Sequence, residues 1–134
     1  MPSAVRLIRA EALAPTEYAY AAAVDRGARL VFLAGACPLD ADGAVVAAGD
    51  YAGQARQCLA NLGEALRVSG ASLADVASTR VLVASSRRDD LVAAWSVVRD
   101  AFGEHDVPST LFGVTVLGYP EQLVEIEAVA ALAD

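Results

Sequence analysis

A chain of 134 residues has the size of one ordinary domain and is long enough to bury a core of its own. Its hydrophobic share is 56 %, raised mainly by alanine, and its charged share only 20 %, so small apolar side chains point to close helix–sheet packing and a buried subunit interface. The net charge is −7 and all ten basic residues are arginine, which argues against nucleic acid or an anionic membrane as the partner.

The predicted elements follow in chain order. Val5–Ile8 is short, apolar and alternating, as an edge strand is. Residues 19–24 and 29–34 flank the turn-like Asp25-Arg26-Gly27, which predicts a β-hairpin. A loop follows, punctuated by Pro38 and by Asp42-Gly43. Asp50 is placed to cap a helix whose stripe is Tyr51, Ala55, Leu59, Leu62 and Leu66, with Gly70 closing it. Residues 76–83 are β-branched and predict a strand. A second helix begins at Asp89 and Asp90, carries Leu91, Trp95, Val98 and Phe102 on its buried side, and ends at Gly103.

Two strands complete the pattern, at residues 110–117 and 123–132, joined through Gly118-Tyr119-Pro120-Glu121. In the last strand Val124, Ile126, Ala128 and Ala130 share one face while Glu125 and Glu127 share the other. The order β-β-β-α-β-α-β-β predicts a single α+β domain over residues 1–134, a six-stranded mixed sheet with two helices packed on one face. The uncovered face calls for another subunit.

No apolar run is long enough to span a membrane. Arg6, Arg9 and Glu11 interrupt the stretch that a secretory peptide would need apolar, so the cytoplasm is the expected compartment. Cys37 and Cys58 are the only cysteines; their separation supports neither a disulfide nor a metal pair, and they are expected as reduced thiols. His105, between Glu104 and Asp106, is too isolated for a metal site. A Ser109–His105–Asp106 triad is disfavoured because all three lie in one short run, whereas triad members converge from separate segments. No phosphate loop or dinucleotide fingerprint occurs, and no metal or other cofactor is expected.

Four fragments follow one another along the chain: Leu33-Ala34-Gly35-Ala36-Cys37-Pro38-Leu39-Asp40, then Gln54-Ala55-Arg56-Gln57 with Asn61-Leu62, then Ala71-Ser72-Leu73-Ala74-Asp75-Val76, and finally Leu123-Val124-Glu125-Ile126-Glu127-Ala128-Val129-Ala130. In that order they resemble the strand-and-loop signature, the first helix and the later motifs of the Rid (YjgF-type) family, whose fold is chorismate-mutase-like. The resemblance implies a homotrimer with clefts between subunits that hydrolyses, or binds, a small imine, enamine or related carbonyl compound.

Carried over residue by residue, the resemblance makes Glu125 and Tyr20 the catalytic pair, Glu125 positioning water and Tyr20 lining the cleft. Gly35 offers backbone donors, and Leu111 belongs to the same lining. Ser109 stands in the place given to the family's carboxylate-clamping arginine, which implies weak turnover of carboxylate-bearing imines. Trp95 replaces a helix asparagine. From the residues alone, Glu125 is equally an ordinary solvent-facing strand acid, Glu127 an interface ion-pair partner, and Trp95 a core residue. The rival functions are a non-catalytic small-molecule-binding trimer and a different biosynthetic reaction in the same cleft.

Overall fold

The computed structural model describes residues 3–133. Its strands are β1 (Val5–Ile8), β2 (Ala21–Val24), β3 (Arg29–Phe32), β4 (Val76–Ala84), β5 (Ser109–Val114) and β6 (Val124–Leu132); its helices are α1 (Tyr51–Val68) and α2 (Arg88–Phe102). The α+β class, the six strands and the two-helix layer are those expected. Four strands form a mixed sheet in the order β3-β6-β4-β5, parallel between β4 and β5 and antiparallel elsewhere. The parallel pair requires a crossover, and α2 supplies it.

α1 begins where the Asp50 side chain accepts the Gly53 N–H at 2.9 Å. Ala55, Cys58, Leu62 and Leu66 are buried along it, and Gly70 follows its end with φ 84°. Val98 and Phe102 bury the facing side of α2, which stops at Gly103. From the sheet come Val81 and Val83 on β4 and Val124, Ile126, Ala128 and Ala130 on β6. Each large side chain removed from water here contributes about 1.5–3 kcal/mol.

Two expectations are corrected. The segments expected to pair as a hairpin across Asp25-Arg26-Gly27 do flank a turn, closed by Ala28 N–H to the Asp25 carbonyl at 3.1 Å, but they do not pair with each other. β2 bonds to β1 and β3 to β6, so β1 and β2 stand as a separate antiparallel pair beside the four-stranded sheet. Packing explains the choice: Ala4, Val5 and Ala131 form a second apolar cluster with Leu7, Ala22, Ala28 and Ala77, which draws β2 onto β1.

The other correction concerns β5, which ends at Val114 rather than continuing to residue 117. Among the described residues it pairs with β4 alone, which stops at Ala84 opposite Val114, so the residues beyond have no ladder to join. Val116 is correspondingly exposed.

Alternation divides the sheet into a helix-covered face and an open one. The open face carries Leu30 and Phe32 of β3, Glu125, Glu127 and Val129 of β6, Arg80 and Leu82 of β4, and Thr110 and Phe112 of β5. Phe32 is 73 % exposed.

Candidate functional site

Glu125 lies on the open face of β6 opposite Leu82, and two side chains hold its carboxylate. Gln122 Nε2 donates to Oε1 at 3.2 Å, and the Cys37 thiol donates to the same oxygen at 3.4 Å. Gly35 is packed against the other oxygen so closely that a Cβ at that position would overlap the carboxylate. A glycine is needed here for space, a reason different from the backbone donors expected of it. Among the described residues no cation pairs with Glu125 within 4.0 Å, so the carboxylate is oriented without being neutralised.

α1 fixes the segments around this acid. Gln54 is fully buried; its Nε2 donates to the Glu121 carbonyl at 3.0 Å and its Oε1 accepts the Leu123 N–H at 2.7 Å. It therefore pins the turn from which Gln122 and Glu125 emerge. Asn61 Nδ2 donates to the carbonyls of Cys37 at 2.9 Å and Leu39 at 2.8 Å, and Gln57 Nε2 donates to Leu39 at 3.1 Å. These bonds hold the loop that carries Cys37. The polar residues of the Gln54–Asn61 motif thus act as braces for the two sides of Glu125.

Burial, and then the neighbouring Glu125 carboxylate, raises the Cys37 thiol above the ordinary thiol range. Cys37 therefore meets Glu125 as a protonated donor and not as a thiolate. Cys58 is buried in the core and pushed further up, chiefly by burial. Both cysteines are unpaired.

Tyr20 belongs to a different part of the molecule. Its hydroxyl donates to the Ala14 carbonyl, and its ring meets Tyr18 edge-on at a centroid distance of 6.0 Å. The two tyrosines wall an open depression of about 300 Å³ shared with Ser78, Thr79, Arg80, Ser109 and Thr110. Glu125 does not line it, so one chain does not bring the two expected catalytic residues into one cavity.

Four further expectations meet the structure here. Ser109 lines that depression, but its hydroxyl lies 2.6 Å from Thr79 Oγ1 and donates to the Val107 carbonyl at 3.0 Å. Its register opposite buried Thr79 turns it toward the helices, and Thr110, opposite Arg80, is the β5 residue on the open face. Leu111 packs into the core and does not face the open side. Trp95 packs against the core too, while its Nε1 donates to Glu17 at 3.2 Å. Glu17 also pairs with Arg99, and these two donors, Arg99 first, hold its pKa below the usual carboxylate value. Trp95 thus fastens the loop before β2. His105 Nε2 lies 2.8 Å from the Val76 carbonyl, a structural bond outside any triad.

Sequence reasoning missed Gln122 and the contact that Cys37 makes. Gln122 carried no periodic signal, and Cys37 was legible only as a thiol.

Among the described residues no group of three or more histidine, cysteine or acidic side chains is placed to hold a metal, and no helix is long and apolar enough to cross a membrane. Residues 10–132 match the sequence profile of the family described as Endoribonuclease L-PSP. The chain shares 34 % identity and a TM-score of 0.88 with YyfB of Yersinia pestis, a Rid protein of unknown function, covering 96 % of this chain and 99 % of that one. Rv2704 of Mycobacterium tuberculosis, of the YjgF/YER057c/UK114 family, shares 30 % identity with a TM-score of 0.65 over 96 % and 99 % of the two chains. TdcF of Escherichia coli, solved with bound serine, shares 26 % identity with a TM-score of 0.68 over 96 % and 94 %. No curated protein matches. With a family profile spanning nearly its whole length and relatives alike from end to end, the chain belongs to the Rid/YjgF (L-PSP) family.

Proposed function

We propose that the protein hydrolyses a small imine or enamine by adding water to a C=N bond, in a cleft completed by a neighbouring copy of the chain. The observation that carries this reading is the Glu125 carboxylate, oriented by Gln122 and Cys37 against Gly35 and paired with no cation among the described residues. Such an acid can take a proton from water as the oxygen attacks the imine carbon. The nitrogen is protonated in turn, the carbinolamine collapses, and a carbonyl compound and ammonia leave. An enamine enters the same course after tautomerising to the imine.

The trimer belongs to the same reading. Leu30, Phe32 and Phe112 leave the open face apolar at its sides, and a face of this kind is ordinarily covered by protein. Glu125 and Tyr20 line separate regions of one chain, as expected if a cleft draws them from two copies. TdcF, a relative with bound serine, supports a ligand of amino-acid size. Two unpaired thiols fit a reducing compartment, the cytoplasm. The family name mentions RNA cleavage, but a chain of net charge −7 without lysine is poorly suited to a polyanion.

Glu125→Gln tests the reading. Glutamine keeps the shape and one acceptor but takes no proton, so turnover of an imine should fall by about 10²-fold or more, with an unchanged melting temperature. Unchanged turnover in an intact assembly would remove Glu125 from the mechanism. A protein that only binds would show no turnover before or after the change, and ligand affinity within a few-fold.

A further inference from the structure

We propose that Gln122 is the positioning residue of this site: it holds Oε1 of Glu125 so that Oε2 is the oxygen that takes the proton from water. The inference deepens the hydrolysis reading above and rests on it.

Glutamine is seldom buried, yet Gln122 is only 4 % exposed, two residues before β6. Every polar atom of its side chain has a partner. Nε2 donates to the Val124 carbonyl at 3.1 Å and to Glu125 Oε1 at 3.2 Å, while Oε1 accepts the Tyr119 N–H at 3.1 Å. A flipped amide would set its oxygen against a carbonyl and a carboxylate, and its hydrogens against an N–H, so one orientation alone suits the neighbours. Two of the three bonds close the local backbone. The third reaches the acid, and closing the turn does not require it.

The turn brings the amide to that place. The Gln122 N–H donates to the Tyr119 carbonyl at 3.1 Å, with Pro120 and Glu121 between them. Glu121 has φ 64°, a left-handed backbone that residues other than glycine seldom adopt. Gln54 holds its carbonyl from α1.

The two oxygens of Glu125 are thereby distinguished. Oε1 accepts from both Gln122 and the Cys37 thiol, which engages its two lone pairs. Oε2 accepts no hydrogen bond among the described residues, and the missing side chain of Gly35 makes the room in which it sits. As water attacks, its proton passes to Oε2 and its oxygen bonds to the imine carbon. The C=N electron pair moves to nitrogen, which is protonated from solvent. Gln122 touches none of the reacting atoms and acts through the carboxylate.

The test is Gln122→Met, which keeps the side-chain length and removes the amide, beside Glu125→Gln and the double variant. The substrates are the imine released from benzylamine by an amine oxidase and that released from alanine by an amino-acid oxidase. In Gln122→Met kcat should fall at least about 10-fold with KM within a few-fold, and the change should add nothing in the Glu125→Gln background. Gln122→Glu keeps the acceptor for Tyr119 but sets a second carboxylate against Glu125. Its kcat should be lost at alkaline pH and return as the introduced carboxyl gains a proton.

A readout without turnover is the pH midpoint for alkylation of Cys37 by iodoacetamide, Cys58 being sealed in the core. Burial and then Glu125 raise the Cys37 thiol, and Gln122 opposes them. If Gln122 positions the carboxylate, Gln122→Met lets it drift away and the midpoint falls, as in Glu125→Gln. If the carboxylate keeps its place unaided, only the opposing contribution is lost and the midpoint rises. Melting temperature and assembly mass confirm that each variant is folded. Full kcat in folded Gln122→Met, a midpoint that stays or rises, or a further fall in the double variant would each overturn the assignment. Turnover that depends on Glu125 but not on Gln122 sinks the positioning role alone. No turnover of either imine by the parent protein sinks the hydrolysis, and the role of Oε2 with it.

Discussion

The two faces of the sheet are built from alternate residues of the same strands, yet only one is complete within the chain. On the helix side, Val81, Val83, Ile126 and Ala130 are sealed beneath Leu62, Leu66 and Val98, and every buried side-chain polar atom among the described residues has a partner. On the open side, Phe32 is exposed, Arg80 and Glu127 stand side by side without pairing, and Glu125 is oriented by neighbours that do not neutralise it. A face whose interactions close explains stability; a face left with aligned but unsatisfied charges is where the proposed ligand and second copy would sit.

Leu62→Ala should show the largest effect, a loss of about 2–5 kcal/mol in denaturant unfolding, because the residue is fully buried between helix and sheet. A loss below that of an exposed substitution would mean that the helix layer is not the core.

Gly35→Ala separates packing from chemistry. The added methyl must push the Glu125 carboxylate off its seat, at a cost of about 1–3 kcal/mol, and turnover should fall with the displaced acid. Full turnover in this variant would show that the seat does not position the catalytic group.

The smallest effect is on Cys37. Burial and then Glu125 raise its folded pKa, so the folded state holds the thiol proton more tightly than the unfolded chain. The associated stability is present below the ordinary thiol range, about pH 8.5, and is lost as pH rises through the folded value. Alkylation of Cys37 should accordingly reach half its limiting rate at a higher pH than a free cysteine does, and Glu125→Gln should bring that midpoint down. A midpoint at or below that of free cysteine would contradict the contact.

The helix face was largely legible in the sequence because periodicity reports burial: the Tyr51–Leu66 stripe and the alternation of Val124, Ile126, Ala128 and Ala130 both lie where expected. Strand pairing was less legible. Asp25-Arg26-Gly27 signals a turn, but a turn does not choose partners, and the small apolar cluster of Ala4, Val5 and Ala131 decided them. On the open face alternation placed Glu125 and Glu127 together, and family likeness singled out Glu125 and Gly35. The likeness could not show that Ser109 faces inward, because a shift of one residue on a strand reverses the face. Arg80 lay on a strand that the likeness did not mark, and only the register placed it beside Thr110 and Glu127.

The central claim is that the open face is completed by further copies of the chain, and light scattering after size-exclusion chromatography, with imine turnover measured on the eluted peak, tests it directly. The account predicts a particle of three times the 13.8 kDa chain mass, converted by Phe32→Asp to smaller species that have lost turnover. A folded particle of the single-chain mass that retains full turnover would contradict it.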